Sequence, residues 1–369
     1  MGSLGALLPD LYATAQDSTR WVAVLDGLCE VLGTRNAATQ VLHREGDRLR
    51  AIDTARDSYS LAHALLHDRH VNNEANPRLD LRCSAWVPKC IVRDSDRFEP
   101  GSAAYAALRS RLAAVGLGAS IGLTFELGQD SYFSLIMHRD VDDERDFDER
   151  AEATLNELLP HLRQTMAITA SLDEARDTTR SLQDAIDLVR LGVVVCNADG
   201  RVRWLNRSAE ATISRSPLLR LCDRQLCATT RAGARTLQDV LTAAPSTDGL
   251  PVATIEHQGD LIQIRAALIG ENRADGLRAL FLSDAAAPLD ISPADVARLF
   301  SLSPAEARLA TAIAGGASVS SYSASRGIAV GTARVQLKQV LAKTQASKQA
   351  DLMRQLCGSV VAQTVYKQH

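Results

Sequence analysis

One stretch near the C-terminus, Leu302 to Leu356, constrains the fold more tightly than any other part of the chain. Ser303, Pro304 and Glu306 spell a helix start. The serine can cap the first turn, and the glutamate three residues on can reach back to the cap. Proline loses nothing at the first helical position, where its missing N–H would be unpaired anyway. An Ala-rich run follows, and Gly315 and Gly316 end it. Gly327 separates the runs Ser318 to Gly327 and Ala329 to Thr344, where a tight turn needs a residue tolerant of positive φ. A fourth run, Ser347 to Leu356, completes the set. Short helices joined this way make a helix-turn-helix unit.

The third helix points to a function. At about 100° per residue from Ala329, its residues Ala333, Leu337, Val340 and Thr344 share one side. Arg334, Val335 and Lys338 share another, with Gly331 beside them. One face can therefore pack on the two preceding helices, while the other carries two cations around a small apolar group and bears no acid. Arg and Lys can donate to guanine O6 and N7, and an apolar side chain can meet a thymine methyl. Lys343, Lys348 and Arg354 are placed to reach phosphates, contacts that position a protein without reading sequence. An ordinary solvated amphipathic helix would show the same charges.

The residues Leu302-Ser303-Pro304-x-Glu306, Gly316, Gly327-Ile328, Thr332-Ala333-Arg334, Leu337, Lys343-Thr344 and Lys348-Gln349-Ala350 resemble the LuxR-type helix-turn-helix domain over about 55 residues without a gap. The resemblance implies that the third helix enters a major groove of double-stranded DNA. Arg334, Val335 and Lys338 would then face bases, and Thr332 and Lys343 the backbone. It also implies that the fourth helix is a dimer contact. The chain departs from many members at Tyr322, Arg326 and Gln336. Five serines between Ser318 and Ser325 are poor helix-interior residues, so this helix is expected to depend on packing.

Charge supports the same division. Between Ile291 and His369 there are nine Lys/Arg and three Asp/Glu, a surplus of +6 in a chain of net charge −3, so the preceding 290 residues carry −9. A basic end on an acidic body suits a nucleic-acid-binding domain attached to something else. No run of 18 apolar residues is present, and the N-terminus lacks a basic segment before its Leu/Ala stretch, so neither membrane span nor signal peptide is expected. Seven scattered cysteines, an odd number, point to reduced thiols and a cytoplasmic location. The spacings Cys83-x6-Cys90 and Cys222-x4-Cys227 are not those of a zinc site.

Residues 1–145 read as an α+β sensor-like domain: a helix over 8–34 closed by Gly33, strands over 37–43 and 48–53, helices over 60–71 and 103–115, and a hairpin of 120–127 with 132–138. Ser18-Thr19-Arg20-Trp21, Asn76-Pro77-Arg78 and Leu158-Leu159-Pro160-His161-Leu162-Arg163 resemble the GAF- or PAS-like N-terminal region of some LuxR-type regulators. That implies either a small-molecule pocket between sheet and helices or a role in dimerisation. Trp86, Tyr105, Phe125 and Phe133 are candidate pocket residues, although core packing explains aromatics equally well. His63, His67 and His70, at i, i+4 and i+7, would share a helix face able to hold a metal or haem. A polar helix face accounts for them too, and no nearby Cys or carboxylate pattern completes a set, so neither metal nor cofactor is assigned.

Residues 146–190 read as one long connecting helix with an apolar stripe that calls for a partner, expected across a dimer; the alternative is a helix folded back on its own domain. Residues 180–285, with a hairpin over Asp199-Gly200, a helix led by Asn206 and three closing strands, resemble a PAS domain. Cys196 reads as buried core. Residues 286–300 form a linker and lead-in helix, 301–358 the helix-turn-helix, and 359–369 a tail. The expected fold is thus multidomain: two α+β PAS/GAF-like sensor domains joined by a long helix, then an all-α four-helix LuxR-type domain.

These readings favour a one-component transcription regulator: a homodimer, with DNA and a small-molecule effector as partners and RNA polymerase as a further one. A regulator controlled by a protein partner, or by a haem, metal or redox signal, with its sensor-like domains used for dimerisation, is the alternative. So is a dimerising protein that has lost DNA recognition. A kinase or cyclase is disfavoured, because no Gly-rich phosphate loop follows a strand and no nucleophile–base pairing is visible. A phospho-accepting response regulator and an acyl-homoserine-lactone receptor lack their residue patterns.

Overall fold

The structure is a computed structural model that describes residues 3–84, 90–243, 249–270, 276–284, 289 and 291–364. It divides into two compact units, Met1–Asp177 and Thr178–His369.

In the first unit, α1 (Leu4–Ala13) and α2 (Trp21–Leu32) replace the single helix expected over 8–34. The break is local: Asp17 accepts from the Thr19 N–H (3.1 Å) and hydroxyl (2.6 Å), opening a 3-10 turn at Ser18–Arg20. Gly33, at φ +64, ends α2 as expected. β1 (Asn36–Glu45) and β2 (Arg48–Arg56) pair as a hairpin. The helix expected over 60–71 is two, α3 (Ser58–Ala62) and α4 (Ala64–His70), because His63 leaves helical geometry at φ −112, ψ 23. β3 (Ile91–Arg93), α5 (Asp94–Arg97) and α6 (Ala103–Ala113) follow. β4 (Leu117–Gly128) and β5 (Ser131–Asp140) then pair around the expected Gly128–Asp130 turn. The five strands make one antiparallel sheet in the order β2-β1-β5-β4-β3.

Strand alternation gives this sheet two different faces. Phe125, Phe133, Leu135 and Met137 join Ile121 and Leu123 in a core closed by α1, α2 and the first half of α7 (Glu149–Asp187). Ser134, Ile136 and His138 look the other way. α7 is a single 39-residue helix running through Pro160. Its Ala151, Leu155, Leu158, Leu162 and Thr165 are buried, the first four of them in this core. The first half of the long helix therefore folds back on its own domain, contrary to the expectation of a dimer partner for the whole stripe. Its second half leaves Leu182 at 60% exposure.

The second unit opens with β6 (Gly192–Cys196) and β7 (Val202–Leu205), then α8 (Arg207–Arg215). A hairpin of β8 (Leu219–Cys222) and β9 (Gln225–Ala228) was not expected from sequence. Its turn residues Asp223 and Arg224 both adopt positive φ, 48° and 63°, without the glycine or asparagine that usually signals such a turn. α9 (Arg231–Thr242), β10 (Val252–His257), β11 (Asp260–Leu268) and β12 (Arg278–Asp284) complete the domain. The sheet order is β10-β11-β12-β6-β7. Numbering only the strands that belong to each five-stranded sheet, and so leaving out the β8–β9 hairpin, both sheets have the same order, 2-1-5-4-3. Here one face is filled with Val194, Cys196, Ile262, Ile264, Leu280 and Leu282 against Ile213, Leu237, Val240 and Leu241 of the two helices.

Asn206, fully buried, caps α8 by accepting from the Ala209 N–H (2.9 Å). The same oxygen accepts from the Val193 N–H (2.8 Å), and its amide nitrogen donates to the carbonyls of Leu191 (2.9 Å) and Ile186 (3.2 Å). One side chain thus fastens the end of α7 to the first strand and first helix of the domain. Gly192 has no side chain because a Cβ there would lie 3.1 Å from both Ala209 Cα and Leu282 Cβ.

α10 (Pro293–Phe300), α11 (Pro304–Ala314), α12 (Val319–Arg326), α13 (Val330–Thr344), α14 (Gln349–Cys357) and α15 (Val360–Gln363) end the chain. No helix among the described residues is long and apolar enough to cross a membrane.

Candidate nucleic-acid interface and a polar cavity

The helix-turn-helix is built as its sequence directs. The Ser303 N–H donates to Glu306 Oε2 (2.7 Å) and the Glu306 N–H to Ser303 Oγ (3.4 Å), so the capping box forms. Gly327, at φ +64, makes the turn between α12 and α13. α12 is held by tertiary packing: Tyr322 is buried among Leu309, Ile313 and Ala333. Its serines bond their own backbone, Ser323 Oγ to Ser320 O (2.8 Å) and Ser325 Oγ to Tyr322 O (2.9 Å), which does little for the helix itself.

On α13 the two faces separate as the 3.6-residue repeat requires. Ala333, Val340 and Thr344 are buried, with Leu337 and Leu341 partly so. Thr332, Arg334, Val335 and Lys338 are exposed, Val335 at 60%. From Ser318 to Thr344 the chain holds four cations, Arg326, Arg334, Lys338 and Lys343, and no acid. Lys343 stands apart: its Nζ donates to Glu306 Oε2 at 2.7 Å. That hydrogen bond, with the Ser303 N–H, holds the Glu306 carboxyl below its ordinary value. Lys343 thus ties α13 to the start of α11, a role the sequence reading did not give it. Arg334 and Lys338 have no acidic partner among the described residues.

The expected pocket residues are not brought together. Phe125 and Phe133 stack at 5.1 Å inside the helix-facing core, with Trp21 against Phe133. Tyr105 stacks on Phe98 at 5.9 Å in a separate cluster. Trp86 lies outside the described residues. Nor do the three histidines share a helix face: His63 is exposed at the break, while His67 is buried. Among the described residues no three His, Cys, Asp or Glu side chains gather where they could hold a metal ion. Cys196 is buried core as expected, and burial pushes its thiol up to about 11.

A cavity lies instead on the opposite face of the first sheet, lined by Asn36, Ala38, Ser134 and His138 from the strands and by His67, Arg78 and Arg97 from the segments above it. A chain of buried polar groups runs through its wall. Arg78 donates to Asp94 through Nε (2.7 Å) and Nη2 (2.5 Å), and Nη2 also donates to His138 Nε2 (3.0 Å). His138 Nδ1 then donates to Asn36 Oδ1 (2.8 Å), and Asn36 Nδ2 to Ser60 Oγ (3.1 Å). Burial first, and then the Arg78 cation, hold His138 neutral, well below its ordinary value, which suits this pattern of one donor and one acceptor nitrogen. Burial raises the Asp94 carboxyl, but the Arg78 guanidinium outweighs it and keeps the group ionised. The signal in the sequence was the polar half of β5, Ser134 and His138, set between the apolar residues of the other face.

No protein-family model and no curated protein matches this chain. Solved structures similar to it include the phycoerythrobilin-bound GAF domain of a cyanobacterial phytochrome (12% identity over 47% of this chain and 99% of that one, TM-score 0.31). SdiA in complex with octanoyl-rac-glycerol is another (9% identity, 96% and 87% of the chains, TM-score 0.29). A third is the Escherichia coli DhaR(N)-DhaL complex (15% identity, 75% and 86%, TM-score 0.31). At such TM-scores the functional reading rests on this chain's own residues.

Proposed function

We propose that this chain is a one-component DNA-binding transcription regulator that acts by binding rather than catalysis. The observation that carries the reading is the acid-free face of α13, where exposed Thr332, Arg334, Val335 and Lys338 stand on a helix held by a buried opposite face. Such a face suits a major groove, with Arg334 and Lys338 to guanine and Val335 to a thymine methyl. The effector is a small molecule in the first unit, and the assembly is a homodimer in which the exposed second half of α7 meets its copy. Fastening of α7 to the second domain by Asn206 supports a relay from sensor to output. So does the contact of Arg190 with the chain's end, its N–H on Gln363 O (2.9 Å) and its Nε on Thr364 O (3.1 Å). An effector can shift DNA affinity only by its own differential affinity for the two states.

Selection of duplexes from a random pool by the full-length protein tests this. The reading expects enrichment of a sequence with two half-sites. Absence of duplex binding, or binding without any sequence enrichment, contradicts it.

A further inference from the structure

The cavity of the first unit contains two groups whose hydrogen-bonding capacity the protein leaves unused. One is Arg97. Among the described residues its only acceptors are Arg78 O (2.9 Å) and Ser84 Oγ (3.2 Å), both on Nη2, and no carboxylate pairs with it. The other is His67, 2% exposed, whose Nε2 has no partner. Their neighbours are already matched: Arg78 to Asp94, Arg56 to Asp68 (2.5 Å), and His138 to Arg78 and Asn36. Of the three guanidinium groups lining the cavity, two have carboxylate partners and Arg97 has none. Arg97 is half-buried, and a guanidinium withdrawn from water without a paired carboxylate is costly, offset only in part by the Asp94 charge that Arg78 already holds; the fully buried His67 nitrogen without a partner adds to that cost. Burial, with the Arg78 cation beside it, pulls Arg97 down to about 10, so it stays charged at neutral pH.

We propose that this cavity is an anion site that takes the carboxylate of a small organic acid, held by Arg97 and His67. A carboxylate accepts from the guanidinium fork and from an imidazole N–H, which supplies what both groups lack. A cation would add to the positive excess, and an apolar ligand would leave Arg97 uncompensated. Size narrows the class further. The cavity has about 40 Å³ of room for the centres of water-sized molecules. At about 10–15 Å³ each, that is room for roughly three waters. A carboxylate on one or two carbons fits, whereas haem, flavin or bilin does not. The wall shared with an open groove of about 420 Å³, through Gln40, Arg56, Asn72 and Asn76, gives a polar extension of the acid somewhere to lie.

The proposal rests on reading the first unit as the sensor, and its test contains no DNA, so the two can fail separately. The full-length protein is titrated calorimetrically with acetate, propionate and inorganic phosphate at constant ionic strength, with chloride as the blank. Saturable binding of acetate or propionate is expected. Arg97→Gln should weaken it at least about tenfold, as loss of a charge-assisted hydrogen bond does. Ala38→Leu, which fills the cavity from β1 and leaves every charge in place, should abolish it while the thermal midpoint is kept. No saturable binding of any of these anions overturns the proposal. So does binding of undiminished affinity in both variants, and binding of phosphate alone removes the carboxylate assignment.

Discussion

The two antiparallel sheets share a strand order and differ in what lies on their faces. In the second domain one face is closed by apolar side chains of α8 and α9, and the fully buried Asn206 has its bonds satisfied by backbone. In the first, helices cover one face with apolar residues, while the other carries a chain of charged and polar groups around open space. A buried polar network costs stability unless every member is satisfied, so one with spare capacity is better explained by a ligand than by packing. On the reading proposed above, the first domain would sense and the second would relay.

If the polar wall holds the first domain together, breaking it should give the largest effect. Asp94→Ala leaves Arg78 buried without its carboxylate and should destabilise the first unit by about 3–5 kcal/mol in denaturant unfolding. A loss well under 1 kcal/mol would show that water already reaches the network. Asn206→Ala probes the second domain. It removes a helix cap and orphans backbone groups, for about 2–4 kcal/mol. Faster hydrogen exchange should appear at the end of α7 and in β6, with β1 to β5 unaffected; exchange unchanged at α7 would remove Asn206 from the relay.

A smaller effect is expected outside both sheets. Glu306 is held below its ordinary value by Lys343 first and Ser303 second. A depressed folded-state value means its contribution is present above the unfolded value, about 4.3, and is lost as pH falls through the folded one. The pair is partly exposed, so its worth is roughly 0.5–1 kcal/mol. Protection of α11 amides from exchange should fall below about pH 4 in the wild type, and Glu306→Gln should flatten that dependence.

Much of the C-terminal domain was legible because its signals are local. Ser303, Pro304, Glu306 and Gly327 each act within a few residues, and the faces of α13 follow from its period. Strands β1, β2, β4 and β5, the Asn206 cap and the hairpins with glycine-marked turns were legible for the same reason. The cavity was not. Phe125 and Phe133 drew attention as aromatics, yet a shift of one residue along a strand changes the face, and they belong to the core side. Arg97 and Arg78 meet the strands only through the tertiary fold, across stretches with no periodic pattern. The ion pair of Lys343 with Glu306 was not legible either, because the two lie 37 residues apart.

The most direct test of the central claim is the affinity of the full-length protein for its selected duplex, compared with Arg334→Ala and Lys338→Ala, by fluorescence anisotropy at several salt concentrations. The account predicts a loss of roughly 1–3 kcal/mol for each variant, with relaxed preference at one base position per half-site. Affinity and preference unchanged in both variants would contradict it and move any DNA contact off the exposed face of α13.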